Sequence, residues 1–205
     1  MENVVITIGR EYGSGGRHIG KEVAKKLNIN FYDKELLQKT YERNNCNYTK
    51  LEQYDETKRN AILKAMDLLN SNNSDAAFED DNCQILISKT IIDLAQNESC
   101  VILGRNSNNL LKNNKNVINI FIYSNDLDFK VKRKMEIEKL SYKEALNKLK
   151  QVDKKRKKYY EYVNKNHIWG DKKDYDFCID SSVLGIDGTV DLIVDIYKNF
   201  KQNKK

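Results

Sequence analysis

Short apolar runs alternate with amphipathic stretches along the chain. Residues 4–8 form a β-branched run typical of a buried strand, and apolar residues recur at helical spacing over residues 17–27. Polar residues and glycines separate the two, so the opening predicts a strand, a glycine-rich turn and a helix. A short apolar pair at residues 31–32 predicts a second strand that ends at Asp33. This is the start of a βαβ unit.

The rest of the chain continues the alternation. Strands are predicted at residues 100–103, 117–123 and 177–180, and helices at residues 34–70, 85–95, 127–162 and 182–200. The helical region at 127–162 is expected to break near residue 140, where Ser141 and Glu144 have the form of a capping box. Residues 71–81 are rich in Ser, Asn and Asp and predict a loop. Strands that alternate with helices indicate a parallel sheet covered on both faces.

Composition places the chain among globular proteins of one domain. The 205 residues are 40% hydrophobic, and no apolar run approaches the roughly 20 residues of a membrane helix. The first residues enter a strand pattern without a signal peptide, so we expect a cytoplasmic protein with no membrane partner. The four cysteines contain no C-x-x-C pair, which argues against structural zinc. Cys100 and Cys178 lie in apolar runs and are predicted to be buried.

The net charge of +6 is unevenly distributed. Residues 130–165 contain 14 basic and five acidic side chains, a local net charge of +9, so the remainder carries −3. Such a local excess indicates an anionic ligand: substrate phosphates, nucleic acid or an anionic membrane surface. From charge alone, a solvated helix face is an open alternative.

The turn after the first strand carries the most specific chemical signal. Residues 13–16 read Gly-Ser-Gly-Gly and lie between Arg10 and Arg17. Glycines let backbone N–H groups converge on phosphate oxygens, and the following helix adds partial positive charge, so we expect phosphate binding rather than a turn without a ligand. The turn departs from the Walker A motif, because with Gly15 as its second glycine, Gly16 replaces the lysine and Arg17 replaces the Ser or Thr. We expect Arg17 to take over the role of that lysine.

These residues resemble the cytidylate kinase-like family, bacterial proteins related to the P-loop nucleoside monophosphate kinases. The likeness is carried by residues 6–20 and 31–37, and residues 101–105, 153–160 and 180–187 agree in order and spacing. The resemblance implies an α/β protein with the three-layer P-loop kinase fold, a parallel sheet with helices on both faces. It implies one domain over residues 1–205, with a core at 1–33, 84–128 and 175–205, a helical acceptor-binding insert at 34–83 and a basic lid at 129–174.

The resemblance also implies roles for particular residues. Those expected to bind the donor phosphates are Gly13, Ser14, Gly15, Gly16, Arg17 and His18. For His18, a surface residue at the helix start is a better explanation than a catalytic base. Those expected on the acceptor side are Asp33, Lys34, Arg105 and Asp153. Those expected to be catalytic are Arg17, Arg105, Arg156 and Lys155. For Arg105, a surface salt bridge is the alternative.

We therefore expect an ATP- and Mg²⁺-dependent phosphotransferase of the nucleoside monophosphate kinase type, with CMP or dCMP as acceptor and small nucleotides as its partners. One alternative is a kinase of the same fold for another small acceptor, because Lys34 and Glu35 stand where cytidylate kinases carry Ser and Gly. Another is a non-catalytic nucleotide sensor, because the Walker lysine and hydroxyl are missing. A nucleic-acid binder that uses residues 154–158 would explain the basic run but not the turn, so we expect no nucleic-acid partner. The sequence leaves open the oligomeric state and the magnesium ligands, for which Asp33 and Asp180 are the first acids to inspect.

Overall fold

The structure, a computed structural model, describes residues 3–33, 36, 40 and 74–203, with side chains for all of these except 74–84. Strand β1 (Val5–Arg10) leads through a turn into helix α1 (Gly16–Leu27), and strand β2 (Asn30–Tyr32) follows. The strand–turn–helix–strand opening is thereby confirmed. The helix predicted at 34–70 lies outside the described residues, apart from Leu36 and Thr40.

The remaining described elements follow the predicted alternation. In chain order they are α2 (Ser74–Asn97), β3 (Cys100–Leu103), α3 (Ser107–Leu110), β4 (Val117–Tyr123), α4 (Leu127–Glu138), α5 (Tyr142–Val163), a 3₁₀ turn (Lys172–Asp174), β5 (Phe177–Asp180) and α6 (Ser181–Gln202). The single turn α3 and the 3₁₀ turn were not predicted. In the described part of the chain, no helix is both long and apolar enough to cross a membrane.

The five strands form one parallel sheet in the order β2-β3-β1-β4-β5. Central strand β1 is in register with both neighbours, since Val5 lies opposite Cys100 in β3 and Val117 in β4. All strands point the same way, so the carboxyl ends of β1, β2 and β3 meet at one edge of the sheet. Ligands of open parallel α/β sheets bind at this edge.

Apolar side chains cover both faces of the sheet. On one face, Ile6 and Ile8 of β1 pack with Val23 of α1 and Ile193 of α6. On the other, Val5 of β1 and Ile102 of β3 belong to a cluster with residues of α2. Successive residues of a strand point to opposite faces, so one strand supplies both clusters. The three-layer α/β arrangement is confirmed.

Helices α4 and α5 form a hairpin in the basic region. Helix α4 ends at Glu138 and is followed by the C-cap residue Lys139, which has φ of 55°, and α5 begins after Ser141. The Ser141 side chain accepts from the Glu144 N–H, and the Glu144 carboxylate accepts from the Ser141 N–H. The predicted break and capping box are both confirmed.

Two predictions from composition are wrong. Residues 74–81, expected to belong to a loop, form the start of α2. Asp75 and Glu79 place acidic residues near the positive end of this helix, and two alanines between them favour helix, so a polar segment can be helical here. Cys100 is buried as predicted, but Cys178 is exposed. It lies on β5, an edge strand whose residues are only partly covered.

Candidate functional site

The glycine-rich loop joins β1 to α1 with two residues in left-handed backbone conformation. Gly13 has φ of 88° and Gly15 has φ of 83°. A Cβ at Gly13 would come within 2.8 Å of the Lys130 Cβ, and one at Gly15 would collide with Ile186 Cδ1. Both positions therefore require glycine for conformation and for space.

The loop delivers the chain to the N-terminus of α1. The first helical hydrogen bond runs from the Ile19 N–H to the Gly15 carbonyl, 3.0 Å away. The amides of Gly16, Arg17 and His18 therefore have no acceptor within the helix. The first turn of α1 contains no acidic residue, and no side chain of the described residues caps it. These amides and the helix dipole suit an anion.

Ser14 holds the loop from within. Its side chain is buried, and the hydroxyl donates to the Glu11 carbonyl at 2.9 Å. The Ser181 hydroxyl, at the start of α6, donates to the Ser14 carbonyl at 2.7 Å. The Ser14 hydroxyl is thus engaged by the backbone and fixes the shape of the loop.

Three residues from different elements meet beside the loop. The Arg17 Nε, in the first turn of α1, lies 2.6 Å from Asp33 Oδ2, just after β2. Arg105 follows β3 and donates from its guanidinium to the Asp33 carbonyl at 3.2 Å. About two thirds of the Arg17 side chain is exposed. The structure therefore groups Arg17, Asp33 and Arg105, which the sequence analysis had selected separately.

The turn that carries Arg105 has an unusual backbone. Gly104, Arg105 and Asn106 all have positive φ, at 72°, 58° and 58°. Side chains rarely adopt this region, and the conformation costs about 1 kcal/mol or more for each non-glycine residue. The amides of Asn106 and Asn164 exchange two hydrogen bonds, at 2.9 and 2.5 Å, and Asn109 also donates to Asn164. The residue that follows α5 thereby supports the turn.

A set of contacts, here called the loop–hairpin clamp, joins Tyr12 to α4 and α5. The Tyr12 N–H donates to Asp153 Oδ1 at 2.7 Å, and its hydroxyl donates to Glu138 Oε1 at 2.5 Å. The Lys134 Nζ lies 3.9 Å from the centre of the Tyr12 ring. The ring also packs against the apolar cluster of the hairpin, which includes Leu149. Tyr12 thus contacts both helices of the hairpin, through its backbone N–H, its hydroxyl and its ring.

Two neighbouring ion pairs extend the loop–hairpin clamp. The Arg156 guanidinium donates to the Arg10 carbonyl at 3.0 Å and lies 3.4 Å from Asp153 Oδ1. The Lys130 Nζ lies 2.8 Å from Glu11 Oε2. Asp153 therefore contacts the backbone of the glycine-rich loop at Tyr12, and Arg156 contacts the backbone of Arg10 at the end of β1. The acceptor role expected for Asp153 and the catalytic role expected for Arg156 stay predictions. Lys155 is half-buried on α5, and Lys34 lies outside the described residues.

Burial and hydrogen bonding shift the ionisation of the clamp. Burial raises the pKa of Asp153 to about 6, although the Tyr12 N–H and the Arg156 charge oppose the shift. Burial would also raise the pKa of Glu138, but hydrogen bonds from Lys134, Lys148 and Tyr12 outweigh it and hold that pKa at about 2. Burial and the Glu138 carboxylate raise the pKa of the Tyr12 hydroxyl. Glu138 is the stable anion of the clamp, whereas Asp153 titrates near neutral pH.

Sequence reasoning did not assign a role to Arg10 or Arg133. The Arg133 Nε, on α4, lies 3.4 Å from where a Cβ on Gly15 would stand, and burial lowers the pKa of Arg133. Arg133 follows Lys130, which contacts Gly13, by three residues, so both share one helix face. The three-residue spacing of these two basic residues was the sequence feature that could have identified Arg133. The Arg10 side chain lies against Gly16 and Gly104.

The described residues do not form a magnesium site of their own. Over residues 3–33 and 85–203, no three His, Cys, Asp or Glu side chains group as ligands. Asp33 is paired with Arg17, and the Asp180 carboxylate accepts hydrogen bonds from Ser182 and from the Asn125 N–H. Magnesium that arrives on nucleotide phosphates needs few protein ligands, because it keeps several waters.

Comparisons with known proteins bear on the family and the fold of the chain. A model of the cytidylate kinase-like family matches residues 5–183. The crystal structure of an uncharacterized protein from Eubacterium ventriosum ATCC 27560 is 32% identical and has a TM-score of 0.70, with 96% of this chain and 99% of that chain covered. Shikimate kinase from Bacteroides thetaiotaomicron is 18% identical with a TM-score of 0.52, over 95% of this chain and 98% of that chain. No curated protein matches the chain.

The fold of the chain and its family match are consistent with each other. The parallel sheet, the glycine-rich loop before α1 and the likeness to a shikimate kinase structure establish the P-loop kinase fold. Kinase-type phosphotransferases have this fold, and the family match covers most of the chain, from β1 to the start of α6. The chain belongs to the cytidylate kinase-like family.

Proposed function

We propose that the protein transfers the γ-phosphoryl group of ATP to a nucleoside monophosphate, with CMP and dCMP as the first acceptors to test and Mg²⁺ as the accompanying ion. The proposal rests on one observation: the N-terminus of α1, which suits an anion, lies beside the Arg17–Asp33–Arg105 group at one edge of the sheet. Phosphoryl transfer requires the donor phosphate and the acceptor oxygen to be held in line, and here the acceptor oxygen belongs to a second phosphate. The two halves of the site are suited to one ligand each.

The donor half consists of the loop and the start of α1. The amides of Gly13, Gly15 and Gly16 would surround the β- and γ-phosphates of ATP, with support from Arg17 and His18 and with Ser14 holding the loop. Charge on these phosphates is favoured by the helix dipole.

The acceptor half consists of the ends of β2 and β3. Arg105 would bind the acceptor phosphate, because a guanidinium contacts two phosphate oxygens at once. Asp33 would contact the rest of the acceptor, oriented by its ion pair with Arg17. Lys34 and the insert at residues 34–83 would complete this pocket.

The basic hairpin would act as the lid. Arg133 approaches the loop above Gly15, and Lys155 and Arg156 lie on α5, whose Asp153 is bound to the loop. Cations that cover the phosphates stabilise charge on the group in transfer, and a closed lid keeps water from ATP. No covalent intermediate with the protein is required: these residues position both ligands and neutralise charge.

A coupled assay of ADP release tests the proposal. Purified protein with ATP and Mg²⁺ is measured across a panel of nucleoside monophosphates that includes CMP and dCMP. We expect release that depends on one pyrimidine monophosphate. Release without any acceptor dependence would reveal only ATP hydrolysis and would contradict the proposal.

Two alternatives have separate outcomes in the same assay. Turnover only with another phosphorylated or hydroxylated acceptor would support a kinase of different specificity, as Lys34 and Glu35 suggest. ATP binding without turnover would favour a nucleotide sensor. The engaged Ser14 hydroxyl is the observation that favours the sensor, because it is not presented to a metal as the Walker hydroxyl is.

A further inference from the structure

Arg10 crosses the sheet edge between the two halves of the proposed site. It is the last residue of β1, and its Cβ and Cγ lie against Gly16 in the first turn of α1. Its guanidinium lies against Gly104, the residue after β3 that precedes Arg105. The side chain therefore runs from the first turn of α1 to the turn that carries Arg105.

Two glycines from different elements leave room for this side chain. A Cβ on Gly16 would stand 2.6 Å from the Arg10 Cβ, and a Cβ on Gly104 would collide with the Arg10 guanidinium. The main chain of Arg10 is fixed as well, since it pairs with Ile122 of β4 and its carbonyl accepts from Arg156. The path of Arg10 is thus determined by its surroundings.

We propose that Arg10 is a catalytic residue that contacts the phosphoryl group in transfer and supplies the positive charge that the Walker lysine supplies elsewhere. This inference rests on the proposed function. The donor phosphates would lie at the amides of Gly16 and the acceptor phosphate at Arg105, so a guanidinium between them faces the equatorial oxygens of the migrating group. Arg17, expected from sequence to replace that lysine, has its guanidinium on Asp33 instead.

Arg10 forms no covalent bond in the proposed transfer. The bond between the γ-phosphorus and the bridging oxygen of ATP breaks, and a bond forms between that phosphorus and an acceptor oxygen. The bridging oxygen leaves on ADP with the bond's electron pair. Arg10 stays protonated throughout and donates hydrogen bonds to oxygens that gain charge in the transition state.

The test compares Arg10→Gln, Arg10→Lys and the control Lys25→Gln, which removes one charge from the opposite end of α1. Each variant is measured for its thermal midpoint, its Kd for ADP with Mg²⁺, and the tightening of that Kd when aluminium fluoride is added. Fluoroaluminate mimics the transferred group without an acceptor. Turnover with the acceptor found for the wild type is measured as well.

We expect the Kd of Arg10→Gln for ADP to stay within about threefold of the wild-type value. The factor by which aluminium fluoride tightens that Kd should fall at least about tenfold, and kcat should fall about 100-fold. Arg10→Lys should recover part of both losses, and Lys25→Gln should match the wild type. If Arg10→Gln keeps the tightening and kcat, or if the wild type shows no tightening, the inference is wrong. A wild type that tightens on ADP but transfers to no acceptor would contradict the proposed function alone.

Discussion

Asp153 is a buried carboxyl whose charge the surrounding residues only partly compensate. It faces Arg156 on its own helix, Lys130 on α4 and Glu11 in the loop, and it accepts the Tyr12 N–H. Burial raises its pKa from 3.8 to about 6 in the folded protein. Below pH 3.8 the carboxyl is protonated in both the folded and the unfolded state. Between about pH 4 and 6 the folded state retains a proton that the unfolded state has lost, so the free energy of unfolding falls as pH rises.

The fall in the free energy of unfolding with rising pH can be tested by substitution of Asp153 alone. Relative to Asp153→Asn, the wild type should lose about 3 kcal/mol of unfolding free energy between about pH 4 and 6, with no further change above that window. The asparagine oxygen can still accept the Tyr12 N–H, so the contact survives. Urea unfolding of both proteins at a series of pH values measures the difference.

Asp195→Asn is the matched control, because Asp195 is an exposed carboxyl on α6. Its difference from the wild type should stay flat across the same pH range. A flat difference for Asp153→Asn would show that Asp153 is not buried as described.

Single residues of the site were predictable where local sequence determines them. Gly13, Gly15 and Arg17 belong to a contiguous motif, Asp33 directly follows β2, and Arg105 is the second residue after β3. Arg10 and Arg133 were missed because their positions depend on contacts with Gly16, Gly104 and Gly15, which come from packing of separate elements. The local sequence pattern does not show which glycine the side chain of another element will pack against.

Tyr12 connects two elements, the glycine-rich loop and the α4–α5 hairpin. Its ring packs in the apolar cluster of the hairpin, and its hydroxyl donates to the Glu138 carboxylate. A hydrogen bond to a charged acceptor is worth about 1.5–3 kcal/mol, and truncation of a packed aromatic ring costs about 3 kcal/mol or more. The two contributions can be separated by substitution.

We expect Tyr12→Phe to lower the free energy of unfolding by about 1.5–2 kcal/mol, near the low end of that range because Lys134 and Lys148 still hold Glu138. The KM for ATP should stay unchanged, because the ring still holds the loop. Tyr12→Ala should cost about 3 kcal/mol and raise that KM several-fold, because loop and hairpin then move separately. Hydrogen exchange of α5 amides, with denaturant unfolding and kinetics, measures both effects.

Tyr142→Phe provides the control in the same hairpin. The Tyr142 hydroxyl donates to Asp128 at 3.2 Å on the exposed surface, so its loss should cost less than about 0.5 kcal/mol. Equal effects of Tyr12→Phe and Tyr142→Phe would mean that the Tyr12–Glu138 bond contributes nothing special to the clamp.

Elements with clear periodicity were predicted well, and those without it were not. The strand at Val117–Tyr123 matches the apolar run residue for residue, and the α4–α5 break follows from its capping box. The start of α2 was not predicted, because its polar composition is typical of a loop, whereas acidic residues near a helix N-terminus also stabilise a helix. Short turns such as Ser107–Leu110 have too few residues to show a period.

At the scale of the whole molecule, several basic residues of the hairpin are paired with carboxylates. Lys130 pairs with Glu11, Lys134 and Lys148 pair with Glu138, and Arg156 lies on Asp153. The first of these pairs joins the hairpin to the loop, and the other three lie within the hairpin. Because the net charge of +9 already counts Glu138 and Asp153, ion pairing does not distinguish a site for mononucleotides from a surface for nucleic acid. A site for mononucleotides and a surface for polyanions predict different responses of stability to ligand.

A ligand that binds only the folded state at 100 times its Kd raises the free energy of unfolding by about 2.7 kcal/mol. We expect ATP with Mg²⁺ to raise the thermal midpoint accordingly, by several degrees, and duplex DNA at the same phosphate concentration to leave it unchanged. Gly15→Ala should abolish the ATP response, because the added Cβ collides with Ile186 and Gly15 has φ of 83°. Thermal melting monitored by circular dichroism measures each midpoint.

Gly188→Ala is the control for glycine loss, since Gly188 lies within α6 and an added Cβ would come 3.1 Å from the Leu184 Cβ, tight but away from the loop. It should keep the full ATP response. The polyanion alternative predicts the reverse pattern: DNA would raise the midpoint, the gain would fall steeply with salt as counterions are released, and Gly15→Ala would retain it. Gly15→Ala changes the glycine-rich loop and leaves the residues of the hairpin surface unchanged. One set of melting curves therefore distinguishes a nucleotide site from a charged face.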